Sequence, residues 1–202
     1  KIFAIKNTNY PMESLLNAIQ SYVPLSVADK ELISRLFHRK VFKKGDHILQ
    51  SGSICRYIIF IETGLVRYYI DTEGGEQTNY FNKEGEFACD YTSFLPQIPS
   101  NVNIQALEDT IIYVISHNDM QRFYKDIEHG ERFGRLAIEQ VFLTVISQIV
   151  SLYTDPPPVR YNKFILNFPD IGQRIPQYYI ASYVGVKPQS LSRIRKRMVG
   201  GH

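Results

Sequence analysis

Residues 177–196 constrain this chain more than any other stretch. Ile180, Ala181 and Val184 recur at helical spacing and therefore share one face. Gly185 ends that helix, because the residue just past a helix end often needs a positive φ, which glycine adopts without a Cβ clash. Val186 plugs the angle that follows. Pro188 suits the first turn of a second helix, where its missing N–H costs nothing. Leu191 and Ile194 then face back onto the first helix, which leaves Gln189, Ser190 and Arg193 on the outer face of the second.

This is the pattern of a helix-turn-helix, whose second helix enters the DNA major groove. An ordinary helical hairpin buried in a core is the alternative. Charge favours DNA. Between residues 160 and 202 lie Arg160, Lys163, Arg174, Lys187, Arg193, Arg195, Lys196 and Arg197 against the single acid Asp170; this segment carries +7 and leaves −4 for the rest of a chain whose total is +3. A basic end on an acidic body is the footprint of phosphate contact, although a solvated basic face has the same composition.

The remaining residues bound the class. A length of 202 residues allows one large domain or two small ones, and 44% hydrophobic content suits a globular core. No apolar run is expected to span a membrane. Residues 1–10 are too polar for a secretory signal. Cys55 and Cys89 form neither a disulfide framework nor a metal-ligand spacing, and both are expected to be packing residues in a reducing cytoplasm.

Residues 11–23 read as a short helix, and Ser26 with Asp29 as a helix cap ahead of Leu32, Ile33, Leu36 and Phe37. Short β-type runs follow at 41–45, 47–50, 56–61, 65–70, 77–81, 102–107 and 110–115, separated by turn signals such as Gly45-Asp46, Gly64 and Gly74-Gly75. Strands at this spacing predict a sandwich or barrel. Ser116 and Asp119 cap a short helix to about residue 125. A long helix is predicted over 129–153, with Ile138, Phe142, Val145, Ile149 and Leu152 stepping by 4, 3, 4, 3 as a dimer seam and Ile146, Val150 and Tyr153 beside it. The other reading is a single helix buried in its own domain. Residues 154–158, with three consecutive prolines, break the chain before a short helix over 159–167.

The order β body, apolar helix, hinge and basic helix-turn-helix resembles the Crp/Fnr family of bacterial transcription regulators. The resemblance covers about residues 25–198. In the β body it rests on Lys44, Gly45 and Asp46; Ser51 and Gly52; the run from Phe60 through Gly64 to Arg67; Gly75 and Glu76; and Gly85, Glu86 and Phe87. It implies an α+β fold in three parts. These are an N-terminal β-roll of the cyclic-nucleotide-binding jelly-roll type over 1–128, a dimerisation helix over 129–153 and a helix-turn-helix domain over 154–202. The last is winged-helix-like but ends at His202, too soon for a wing, so either this branch lacks the wing or the chain is trimmed.

The resemblance further implies that Gln189 and Arg193 read base edges, with Ser190 and Lys187 near phosphates. The chemistry agrees: arginine bonds both O6 and N7 of guanine, and glutamine pairs with N6 and N7 of adenine. Arg195, Lys196 and Arg197 add electrostatic grip. Pro188 stands where many relatives have arginine, so one base contact is expected to be missing. In cyclic-nucleotide sensors an acidic residue and an Arg-Ser pair hold the ribose phosphate. Alignment places Asp90 at the first and Ser100-Asn101 at the second, so the effector pocket is assigned to Asp90, Ser100 and Asn101. Serine cannot replace a bidentate guanidinium, and cyclic AMP is therefore not expected as the effector.

The partners implied are double-stranded DNA and a second copy of the chain, with an unknown small molecule and RNA polymerase left open. No cofactor, metal site or catalytic residue is assigned. Two cysteines are too few for a common iron–sulfur cluster. His47, His117 and His129 are scattered singly, as cap or polar residues rather than haem ligands. A redox switch through Cys55 or Cys89 has no basic cluster nearby in sequence to lower a thiol pKa. Phosphate-loop, nucleophile-elbow and His-Glu-x-x-His motifs are missing from the sequence, so an enzyme is disfavoured. A β-body signalling or interaction module that binds protein instead of DNA is the competing reading.

Overall fold

The computed structural model describes residues 12–200. The readings of residues 1–10, and of Pro11 at the start of the first helix, lie outside them. Local capping chemistry sets the first helices. Helix α1 (Glu13–Gln20) buries Leu15, Leu16 and Ile19. Helix α2 (Val27–Leu36) starts at a reciprocal cap: Ser26 Oγ accepts from the Asp29 N–H at 3.1 Å, and Asp29 Oδ2 accepts from the Ser26 N–H at 2.9 Å.

Eight strands follow: β1 (His38–Phe42), β2 (His47–Leu49), β3 (Tyr57–Thr63), β4 (Leu65–Thr72), β5 (Gly75–Lys83), β6 (Phe87–Ala88), β7 (Asn103–Ala106) and β8 (Thr110–Ser116). They form two antiparallel four-stranded sheets, ordered β1-β8-β3-β6 and β2-β7-β4-β5. Helix α3 (Tyr91–Phe94) sits in the loop between β6 and β7, and α4 (His117–Asp126) follows β8 from a cap in which Ser116 Oγ accepts from the Asp119 N–H. In β3 the consecutive residues Ile58, Ile59, Phe60 and Ile61 are all buried. Alternation is lost there because one face of that sheet meets the other sheet while α1 and α4 cover the opposite face. Strand β1 begins three residues earlier than its apolar run, because pairing of His38 with Val114 and Lys40 with Ile112 extends an exposed edge that has no hydrophobic pattern of its own.

Gly64 joins β3 to β4 at φ +111°, and a Cβ there would lie 2.8 Å from Thr110 Cα. Both backbone strain and a clash with the start of β8 oppose any side chain. Gly64→Ala is expected to lower unfolding stability by roughly 2–4 kcal/mol, read from denaturant midpoints at unchanged m-value.

Helix α5 (Gly130–Thr154) is 25 residues long. Its first turns enter the core through Phe133, whose ring lies 5.5–5.6 Å from those of Tyr22, Phe87 and Phe123. Farther along, Gln148 Nε2 donates to the Asn79 carbonyl at 2.7 Å. Contrary to the expectation of no spanning run, α5 is long and apolar enough to cross a membrane by length and composition, with a mean hydropathy of 1.6. The polar residues Gln140, Thr144, Ser147, Gln148 and Ser151 recur at helical spacing towards β5 and the helices that follow, which is why inspection finds no unbroken apolar run. The other side of α5 is uncovered: Phe142 is 61% exposed, and Ile138, Val145, Ile149 and Leu152 are exposed with it.

Helices α6 (Pro157–Asn167), α7 (Ile171–Arg174), α8 (Gln177–Val184) and α9 (Pro188–Gly200) complete the described residues. The proline-rich break is shorter than expected. Pro157 and Pro158 open α6, where their missing N–H groups cost nothing, so only Asp155 and Pro156 separate it from α5.

Candidate nucleic-acid interface

Helices α8 and α9 pack through apolar residues at the predicted spacing. Ile180, Ala181, Val184 and Leu191 are buried, and Val186 and Ile194 pack beside them. Gly185 caps α8 in the left-handed region at φ +72°, its N–H donating to the Ser182 carbonyl at 3.0 Å while Val186 N–H reaches the Ala181 carbonyl at 2.9 Å. Pro188 is the first residue of α9, as its fixed φ favours. From α6, the Arg160 side chain ties the unit together, its Nε donating to the Val184 carbonyl at 2.8 Å and its Nη1 to the Asp155 carbonyl at 2.7 Å.

This core extends into the β body. Phe81 on β5, Leu65 on β4 and Leu107 join Phe164, Phe168, Ile171 and Ile175 in one buried cluster. The rings of Phe81, Phe164, Phe168 and Tyr183 lie 5.4–6.1 Å apart by centroid, within the range of favourable aromatic pairing. Polar contacts surround them. Ser182 Oγ accepts from the Thr78 N–H at 2.8 Å, so α8 is hydrogen-bonded to β5. Arg67, 2% exposed, lies between the Tyr69 and Tyr179 rings at 4.1 and 3.9 Å, pairs with Glu76 and donates to Gln105 Oε1. Arg174 pairs with Glu84 at 2.6 Å and with Glu108. Burial raises the Glu84 carboxyl, but the hydrogen bonds and charge of Arg174, together with hydrogen bonds from the Glu84 and Gly64 backbone, outweigh it and hold it below its usual value.

Of the eight cations counted in this segment, Arg174 and Lys163 are therefore engaged inside the molecule, Lys163 with Asp155 at 2.6 Å, and Arg160 is bonded to backbone. The others gather on the turn and α9. Lys187, Gln189, Arg193, Arg195, Lys196 and Arg197 are exposed, Ser190 is half-buried, and among the described residues these five cations form no ion pair. Gln189, Arg193, Lys196 and Arg197 fall within one stripe of the helix by spacing. The stripe points away from the core, and α9 spans about 20 Å, enough to lie along a groove.

The residues assigned to the effector pocket lie on the segment between β6 and β7. Asp90 caps α3: its Oδ1 accepts from the Thr92 N–H and hydroxyl, and its Oδ2 accepts from Ser100 Oγ at 2.6 Å. Asp90 and Ser100 are buried and bonded to each other, while Asn101 is exposed. The Ser100 backbone also pairs with Gly52 and Ser53, fastening this loop to the turn after β2. A cavity of about 450 Å³ lies elsewhere, between α5, α6, α8 and β5, with Tyr80, Glu86, Gln140, Thr144 and Tyr183 on its walls.

Residues 39–126 match the family described as the cyclic nucleotide-binding domain. Over most of its length the chain superposes on solved structures. FixK2 from Bradyrhizobium japonicum matches with a TM-score of 0.71 at 15% identity, covering 82% of this chain and 86% of that one. The chain has the Crp/Fnr fold. A second structure with this fold, a putative transcriptional regulator of the Crp/Fnr family from Eubacterium rectale, gives 0.67 at 22% identity over 90% and 89%. CooA from Carboxydothermus hydrogenoformans, in a doubly substituted form, gives 0.68 at 19% over 92% and 84%. A search of curated proteins by sequence finds no match. The Crp/Fnr fold accounts for the jelly roll and the long helix after it. Sequence reasoning missed the contacts of Arg67 and Arg174 with partners 9 to 90 residues away, for which no local pattern exists.

Proposed function

We propose that the chain is a sequence-specific DNA-binding transcription regulator that acts as a homodimer in the cytoplasm. The observation that carries this reading is the α9 stripe: Gln189 and Arg193, flanked by Lys187, Arg195, Lys196 and Arg197, stand exposed while the opposite face of the helix is buried. Basic groups held free on a rigid helix neutralise phosphates, and a glutamine and an arginine between them distinguish adenine and guanine edges. FixK2 and the Eubacterium rectale protein, described as a regulator, share the fold.

The uncovered side of α5 supplies the dimer. Ile138, Phe142, Val145, Ile149 and Leu152 form a heptad seam in contact with solvent, and an apolar stripe of this width is covered by a second copy in a two-fold arrangement. Two α9 helices then meet successive major grooves about 34 Å apart. Cyclic AMP does not fit the loop around Asp90, since no guanidinium stands at Ser100 and the Asp90 carboxylate is already committed.

The test is binding to a selected duplex under a salt titration. Affinity falls by about 10³–10⁵-fold between 50 and 200 mM salt if each dimer neutralises about 6–10 phosphates. Arg193→Ala weakens binding by about 1–3 kcal/mol per half-site and relaxes preference at one base position. Unchanged base preference in both Arg193→Ala and Gln189→Ala removes these residues from the reading set.

A further inference from the structure

The two cysteines, 34 residues apart in sequence, meet in the fold. Cys55 lies in the connection between β2 and β3, and Cys89 directly follows β6; their Sγ atoms are 3.9 Å apart. Cys55 is buried but forms part of the wall of a cavity of about 280 Å³ at the mouth between the two sheets, large enough for several water-sized molecules. Lys40 and Arg56 line the same cavity. Neither thiol takes part in the DNA reading.

We propose that Cys55 and Cys89 are a peroxide-reactive dithiol that closes to an intramolecular disulfide. The Cys55 thiolate attacks one oxygen of hydrogen peroxide; the O–O bond breaks, hydroxide leaves and takes up a proton to become water, and Cys55 becomes a sulfenic acid. Cys89 then gives up its proton and attacks the Cys55 sulfur. The S–S bond forms, the S–O bond breaks and a second water leaves. Two thiols lose two electrons in total, and the peroxide gains them.

The geometry assigns the two roles. Cys55 lines the cavity and is the attacking thiol; Cys89, half-buried and 3.9 Å from it, is the resolving thiol. The hydrogen bond from Cys89 lowers the Cys55 thiol to about 7 against the opposing effect of burial, whereas burial pushes Cys89 well above its usual value. Thiolate character thus resides on the thiol of the cavity-lining residue, although Cys89 is the less buried of the two. Closing the bond moves the sulfurs from 3.9 Å to about 2.05 Å. It links the turn before β3 to the residue preceding Asp90, and so staples a loop already tied by the Cys55 N–H to Ser93 Oγ at 2.9 Å.

The experiment is a hydrogen peroxide pulse on the reduced full chain at pH 7, followed by quenching, denaturing alkylation and peptide mapping. The expected product is one peptide pair joined through Cys55 and Cys89 within a single chain, reversed by a dithiol reductant. The oxidised protein unfolds roughly 5–10 °C higher. Cys89→Ser should stop at a Cys55 sulfenic acid trapped by a 1,3-dione, and Cys55→Ser should leave Cys89 unreacted. Both thiols remaining alkylatable after the pulse, cross-links only between chains, or Cys55→Ser reacting as fast as the wild type would each overturn the proposal. The mapping uses the wild-type chain, so it decides even if a variant folds poorly, and DNA binding does not enter the readout.

Discussion

Phe142→Asp should turn a dimer into a monomer and abolish operator binding while leaving the fold of each chain intact. Phe142 is 61% exposed in the single chain, so an aspartate there is solvated in the monomer and costs little in folding. In a two-fold interface the same substitution occurs twice, and each carboxylate would replace a seam aromatic that anchors the contact. At roughly 2 kcal/mol or more per copy, dimer affinity falls about a thousand-fold. Sedimentation equilibrium reads this directly, and circular dichroism checks the fold. A variant that stays dimeric would place the interface away from the α5 seam. Loss of DNA binding in step with dimer loss would tie the two properties, because a single half-site forgoes the second helix's contacts.

Phe164→Ala should be among the most damaging core substitutions, costing about 3–5 kcal/mol of unfolding stability. Phe164 is fully buried, and its ring meets those of Phe81, Phe168 and Tyr183. The cavity left by its removal lies where β5 and α8 share a core, so the substitution also loosens the docking of the helix-turn-helix on the β body. Thermal unfolding measures the loss. Hydrogen exchange should show residues 157–198 opening at lower free energy than β3 and β8, whose buried residues belong to the other cluster. Equal exchange in both regions would mean that the aromatic cluster does not mediate docking.

What could be read from the chain follows the range of the interaction. Caps are local, so Ser26 with Asp29 and Ser116 with Asp119 were legible and their helices begin where expected. Helices α8 and α9 and the tight turn between them were legible for the same reason: Ala181, Gly185 and Leu191 act through spacing alone. Edge strand β1 was misplaced because its partner is β8, some seventy residues on, and its exposed side chains carry no alternation. Helix α3 is too short to show a period. Alignment found Asp90 and Ser100 but not that they bond to each other, and cysteines 34 residues apart left no sign of being neighbours. The apolar character of α5 was visible as a seam, yet its membrane-crossing length was not, since the polar residues at 140, 144, 147, 148 and 151 interrupt every run.

Selection from a random pool of duplex DNA at low ionic strength tests the central claim most directly. The account predicts enrichment of a near-palindrome whose half-sites repeat about one helical turn apart, occupied by two protomers and released by salt. A purified chain that remains monomeric and enriches no sequence from the pool would contradict it.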